Sequence, residues 1–178
     1  MWRRGEGDPL RNGHPLYVFP RQGAGRVDDP EHEYTVLYCA DSPAGAVAEA
    51  LGNYARWTPG VLAPPPAAPR GSVLALVALE GTPRVLNLDD PAVLLAEGLR
   101  PSAVVSRDRA LTQAWARRIQ QRRRHAGVSW WSYRDPRWAA FGLWDRRALR
   151  VVGSPEPLTL DHPAVAEAAA VLPRLVVG

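Results

Sequence analysis

Between Thr58 and Gly71 the chain carries five prolines: Pro59, Pro64, Pro65, Pro66 and Pro69. Proline lacks a backbone donor and its ring clashes with the preceding helical turn, so this stretch sustains neither a helix nor a central strand. It reads as a surface loop. It does not divide two domains, because the segments on either side are each too small to bury a core alone. One domain over residues 1–178 is therefore expected, with a Pro-rich surface loop at 58–71.

The rest of the chain alternates strand and helix signals. Residues 1–33 are rich in Gly, Pro, Arg and Asp around one apolar stretch, Leu16 to Phe19, which predicts strands linked by turns. Tyr34 to Cys39 is almost continuously apolar and reads as a central strand. Ser42 followed by Pro43 predicts an N-cap and first helical position, and Ala46, Val47, Ala50 and Leu51 recur at helical spacing as far as Tyr54. Beyond the loop, Ser72 to Leu79 reads as a buried strand and Arg84 to Leu88 as a short one, with a helix starting at Asp89-Asp90-Pro91. The longest helix is expected over Arg107 to His125. Its apolar face would be Ala110, Leu111, Ala114, Trp115 and Ile119, with Gln120 and the arginines largely opposite. Val128 to Tyr133, Ala139 to Trp144 and Leu149 to Val152 read as closing strands, and His162 to Leu172 as a last helix. The fold class is α+β, a central mixed sheet flanked by helices.

Composition narrows the class further. With 46% hydrophobic and 22% charged residues the chain is that of a globular protein. No apolar run approaches the ~20 residues of a membrane span, and Met1 to Asp8 lacks the apolar stretch of a signal peptide, so a cytoplasmic protein without membrane contact is expected. The single cysteine, Cys39, excludes an internal disulfide and a cysteine-rich zinc site, and its strand context makes it a core residue. All 22 basic residues are arginine. Guanidinium groups suit bidentate phosphate contacts, although GC-rich coding produces the same usage.

Most candidate chemistry dissolves on inspection. His14, His32, His125 and His162 have no metal-ligand spacing, and no Gly-x-Ser-x-Gly elbow is present. Gly23-Ala24-Gly25 lacks the rest of a dinucleotide fingerprint and reads as a turn. Arg122-Arg123-Arg124 reads as the solvated end of a helix rather than a track for nucleic acid. Glu49 stands out, because helical spacing sets it beside Gly45, Ala46 and Asn53 on a mostly apolar stripe.

Several short motifs then align in order. Trp2-Arg3-Arg4, Gly25-Arg26-Val27-Asp28-Asp29-Pro30, Val36 to Ser42 with Ala46-Val47-Ala48-Glu49, and Gly127-Val128-Ser129-Trp130-Trp131-Ser132 together resemble the RES domain over nearly the whole chain. The family is named for its Arg, Glu and Ser, and includes bacterial toxins that consume NAD+ by phosphorolysis or hydrolysis, commonly encoded beside a Xre-like antitoxin. The resemblance implies an ADP-ribosyltransferase-like fold. It places the amino-terminal arginine on Arg3, with Arg4 the alternative register, the second arginine on Arg26, the tyrosine on Tyr38, the glutamate on Glu49 and the serine on Ser132. Val27 stands where the family often has an aromatic residue.

The implied chemistry is self-consistent. The nicotinamide of NAD+ leaves as a neutral group, so cleavage needs an oxocarbenium-like transition state stabilised and the pyrophosphate held, rather than a strong acid. Arg3 and Arg26 would clamp the pyrophosphate. Glu49 would bind ribose hydroxyls and offset developing positive charge, Ser132 would orient it, and Tyr38 would stack or hydrogen-bond nearby. No metal or cofactor is implied, NAD+ being substrate and inorganic phosphate a candidate co-substrate. The implied partner is a Xre-like antitoxin blocking the pocket, and an oligomer is compatible with the sequence. Trp57, Trp130, Trp131 or Trp138 would serve such an interface if exposed, but core filling is the preferred role for most of the seven tryptophans. The alternatives are a silent or differently specific nucleotide-binding module and, third, an Arg-rich nucleic-acid-binding regulator.

Overall fold

A computed structural model describes residues 14–64, 68 and 70–178. In chain order its elements are β1 (Leu37–Ala40), α1 (Pro43–Leu51), β2 (Arg56–Trp57), a 3-10 turn (Pro59–Leu62), β3 (Ala75–Gly81), β4 (Val85–Asn87), α2 (Pro91–Glu97), α3 (Pro101–Val104), α4 (Arg109–Gln121), β5 (Gly127–Trp131), β6 (Ala139–Leu143), β7 (Leu149–Pro157), α5 (Pro163–Val171) and β8 (Leu175–Val176). The α+β class is borne out. A four-stranded mixed sheet runs β1-β6-β5-β4, in which β6 is antiparallel to both neighbours while β4 and β5 are parallel. The parallel pair needs a long crossover, which α2, α3 and α4 supply. Two further pairs, β3 with β7 and β2 with β8, lie outside that sheet.

Local sequence explains the helix starts. The Ser42 hydroxyl accepts the Gly45 N–H at 3.1 Å ahead of Pro43, and Asp90 accepts the Ala92 N–H at 2.8 Å ahead of Pro91. Two cores result. Val128, Trp130 and Ala140 on one face of the sheet pack with Trp115, Ala116 and Ile119 of α4 and with Val27, Val36, Leu88, Leu94 and Val104. In the second, Ala44, Val47, Ala48 and Leu51 of α1 meet Ala164, Val165, Ala168 and Ala169 of α5 around Trp57 and Trp138. The Trp57 indole N–H, fully buried, is satisfied by the carbonyls of Leu51 and Tyr54 at 3.1 and 3.2 Å.

Several expectations need correction. The strand expected over Tyr34 to Cys39 is shorter and lies at a sheet edge, not at the centre. Val36 is buried nonetheless, because the Gln22 amide takes the place of a neighbouring strand, donating to the Val36 carbonyl at 2.7 Å and accepting its N–H at 2.6 Å. No strand forms over residues 14–33. The segment expected as a buried strand from Ser72 is a half-exposed ribbon, and its partner β7 runs on to Pro157. The inner face of α4 is rotated from its apolar stripe: Thr112, Gln113 and Gln120 are buried, while Ala110, Leu111 and Ala114 are exposed. The expected core role of tryptophan holds for Trp57, Trp115, Trp130 and Trp138, with Trp131 and Trp144 partly buried against the first core.

Candidate functional site

Register sets the first residue of the site. Tyr38, Gly142 and Val128 lie level across β1, β6 and β5, and two positions along, Ala40, Ala140 and Trp130 do the same. Tyr38 thus belongs to the sheet face that carries Trp130. A side chain on Gly142 would come within 2.4 Å of the Val27 methyl and 3.4 Å of the Trp130 ring, so glycine there lets the segment carrying Arg26 lie against the sheet.

That segment is built around Asp28, which is buried. Its Oδ2 accepts the N–H groups of Gly23 and Gly25 at 2.8 and 2.7 Å, and its Oδ1 accepts the Tyr38 hydroxyl at 2.7 Å. The Tyr38 oxygen in turn accepts the Val27 N–H at 3.0 Å. Burial, followed by the hydrogen bond to Asp28, raises the Tyr38 phenol well above its ordinary range, so it stays neutral. A Cβ at Gly25 would lie 2.2 Å from the Tyr38 hydroxyl, which explains the glycine by close approach. The amides of Gly23 and Gly25 are thereby committed to Asp28, so this turn does not cradle a phosphate. Gln113 of α4 completes the fastening, donating to the carbonyls of Gly23 and Gly25 at 2.8 and 3.0 Å.

Arg26 emerges from this frame. Its Nη1 donates to the carbonyls of Val104 and Ser106 at 2.8 and 2.7 Å, and its guanidinium carbon stands 6.0 Å from the Trp130 ring centre. Burial and then the neighbouring Arg109 lower its pKa, opposed by Glu49 and Tyr38. An arginine remains cationic under such shifts. Its Nε and Nη2 have no partner among the described residues, and those donors are available to an anion.

Glu49 reaches the same place from α1, joined to β1 by the short Asp41-Ser42 turn. The buried stripe of α1 is Ala44, Gly45, Val47, Ala48 and Leu51. The mostly apolar stripe expected for Glu49 is therefore corrected: Glu49 is exposed, at the solvent edge of the helix. Its Oε1 accepts a short hydrogen bond from the Ser132 hydroxyl. Ser132, 2% exposed, follows β5 directly; its Oγ also accepts the Arg134 N–H at 3.0 Å, and its N–H donates to the Trp138 carbonyl at 2.7 Å. With its hydroxyl so fixed, Ser132 holds one oxygen of Glu49 while leaving the other free among the described residues.

The structure thus joins Glu49 to Ser132 just beyond the Trp131 end of β5 and sets Arg26 near Trp130 on the sheet face, with Tyr38 farther along that face at the level of Val128, while Arg3 and Arg4 lie outside the described residues. Cys39 is half-buried with its thiol pushed up to about 11 by burial, so it is no nucleophile near neutral pH. Among the described residues no cluster of metal-ligating side chains occurs, and no helix is long and apolar enough to cross a membrane. A cavity of about 300 Å³, lined by Tyr34, His125, Trp144 and Arg147 among others, opens at the opposite end of the sheet and touches none of the four residues. The sequence reading missed Asp28 and Gln113 as functional supports. Asp28 lay inside the quoted motif, and Gln113 carried one signal, a polar residue set between the apolar positions of α4.

The model of the RES domain matches residues 2–162. The chain belongs to the RES domain family. All the residues brought together here fall within the matched span, whereas α5 and β8 of this RES protein lie beyond it. No curated protein and no solved structure matches the chain.

Proposed function

We propose that this RES protein degrades NAD+ by cleaving the bond between nicotinamide and ribose, as the toxin of a toxin and antitoxin pair. The observation that carries the reading is the Ser132–Glu49 hydrogen bond, with the Arg26 cation within Coulombic reach of Glu49, which opposes the lowering of the Arg26 pKa by burial and Arg109. A carboxylate and a guanidinium with unpartnered donors among the described residues match a substrate that develops positive charge at a sugar carbon and carries negative charge on a pyrophosphate.

In this mechanism Arg26 holds the pyrophosphate through Nε and Nη2. Glu49, oriented by Ser132, accepts hydrogen bonds from the ribose hydroxyls and lowers the energy of the oxocarbenium-like transition state. The bonding pair leaves with nicotinamide, which becomes neutral, and phosphate or water adds to the anomeric carbon. Phosphorolysis yields ADP-ribose 1-phosphate; hydrolysis yields ADP-ribose, the water losing one proton to solvent. Tyr38 is a neutral phenol fully occupied by Asp28 and Val27, so its role is to fix the Arg26 segment. Arg3, or Arg4, would supply a second clamp, and a Xre-like protein would act as antitoxin by covering Arg26 and Glu49.

The test is incubation of the purified protein with NAD+, with and without inorganic phosphate, following nicotinamide and the ribosyl product by mass. Phosphate-dependent release that is lost in Glu49→Ala establishes a phosphorylase, and phosphate-independent release a hydrolase. No release from folded protein overturns the proposal in favour of a nucleotide-binding module.

A further inference from the structure

Two exposed side chains, Arg107 and Tyr133, sit next in sequence to residues that bond Arg26 and Glu49, and the proposed cleavage gives neither a role. Tyr133 directly follows Ser132, and Arg107 directly follows Ser106, whose carbonyl holds Arg26 at 2.7 Å. The Arg107 guanidinium carbon stands 4.8 Å from the centre of the Tyr133 ring, and its Nη2 donates to the Tyr133 hydroxyl at 3.0 Å. Tyr133 is 51% exposed and joins neither core, so packing does not account for an aromatic residue there.

With the Arg107 guanidinium over one face of its ring, the half-exposed Tyr133 phenol keeps its other face for a further planar group. Charge decides which ring that group carries. A pyridinium cation is repelled by Arg107, whereas a neutral, electron-rich purine is attracted by the guanidinium and stacks on tyrosine. Arg26 is bonded to the carbonyl of the residue that precedes Arg107, so one short loop carries both an anion contact and a base contact, as the linked phosphate and base of a nucleotide require. We propose that Arg107 and Tyr133 form the platform for the purine base of a nucleotide whose phosphate is held by Arg26. This rests on the reading of the cluster as a dinucleotide site and assigns the end of the substrate remote from the bond that breaks.

Adenosine 5′-monophosphate and ribose 5-phosphate, which share a phosphate and differ in the base, are the probes. Calorimetric titration of the full chain is expected to show the purine nucleotide binding about tenfold more tightly. Tyr133→Ala should abolish that preference by weakening only the nucleotide, Tyr133→Phe should retain it, and Arg107→Ala should reduce it in part. Equal affinities in the parent protein, no nucleotide binding, or equal weakening of both probes by Tyr133→Ala would overturn the platform. NAD+ turnover on the same samples separates the two proposals. Turnover without the base preference removes the platform alone, whereas a base preference without turnover removes the cleavage reaction and leaves the platform standing.

Discussion

Two carboxylates from successive family motifs, Asp28 and Glu49, have opposite surroundings. Asp28 is buried and accepts three hydrogen bonds, two from backbone amides and one from Tyr38. Glu49 is exposed and accepts one, from Ser132. The same contrast separates Tyr38, whose hydroxyl both donates and accepts within the frame, from Arg26, which commits one nitrogen to α3 and its loop and keeps two free among the described residues. Saturated groups build the frame, and unsaturated groups at its edge are left for a ligand. That division turns a motif into distinct roles, because removing a saturated buried acceptor strands its donors while removing an exposed one does not.

The contrast breaks most visibly at Asp28. Asp28→Ala leaves two backbone N–H groups and the Tyr38 hydroxyl without their acceptor, a cost of about 3–4 kcal/mol, read as a fall in the urea midpoint at unchanged slope. Glu49→Ala should show the reverse pattern. Its melting temperature should stay close to the parent's, while NAD+ consumption falls at least ~100-fold, because the lost interaction belongs to the transition state. If Glu49→Ala unfolds the protein, or Asp28→Ala folds normally, the division of roles fails. A smaller effect sharpens it: Tyr38→Phe removes the one hydroxyl that joins β1 to the Arg26 segment and should destabilise by about 1–2 kcal/mol. Activity should fall only as far as that segment loosens, with the loss appearing in KM for NAD+ more than in kcat.

Local chemistry made the frame's ends legible. Ser42-Pro43 and Asp90-Pro91 announce their helices, and α4 lies inside the stretch its periodicity marks, although it ends at Gln121 rather than His125. What stayed hidden was held by contacts distant in sequence. The backbone of Val36, just ahead of β1, is satisfied by Gln22, a side chain imitating a strand, which hydropathy does not encode. The rotation of α4 depends on Gln113 being buried for its hydrogen bonds to Gly23 and Gly25, whereas an amphipathic pattern registers only apolar atoms. Glu49 was singled out, but its partner Ser132 is 83 residues away, and Arg26 meets Val104 across 78. The family resemblance implied the first of these pairings and geometry alone showed the second; geometry also separated Tyr38 and Asp28, as frame, from Arg26, Glu49 and Ser132.

The smallest expected effect concerns the turn that returns the chain from Ser132 to Trp138, whose carbonyl holds the Ser132 N–H. Asp135 accepts the Arg137 backbone N–H at 2.9 Å and its side chain at 2.9 and 2.7 Å. These bonds hold the Asp135 carboxyl down at about 2, below its ordinary 3.8, with the guanidinium hydrogen bond the largest cause. A carboxyl whose pKa is depressed on folding contributes stability that is complete above the unfolded value and disappears as pH falls from there through the folded one. Arg137→Ala should therefore lower the melting temperature slightly at pH 5, and the gap from the parent should close between roughly pH 4 and 2. The side chain is at the surface and solvent screens the pair, so the gap should also shrink in 1 M salt. A gap that persists below pH 2 would mean that Arg137 acts through packing, and Ser132 would then owe its position to β5 and the Trp138 carbonyl rather than to this charged turn.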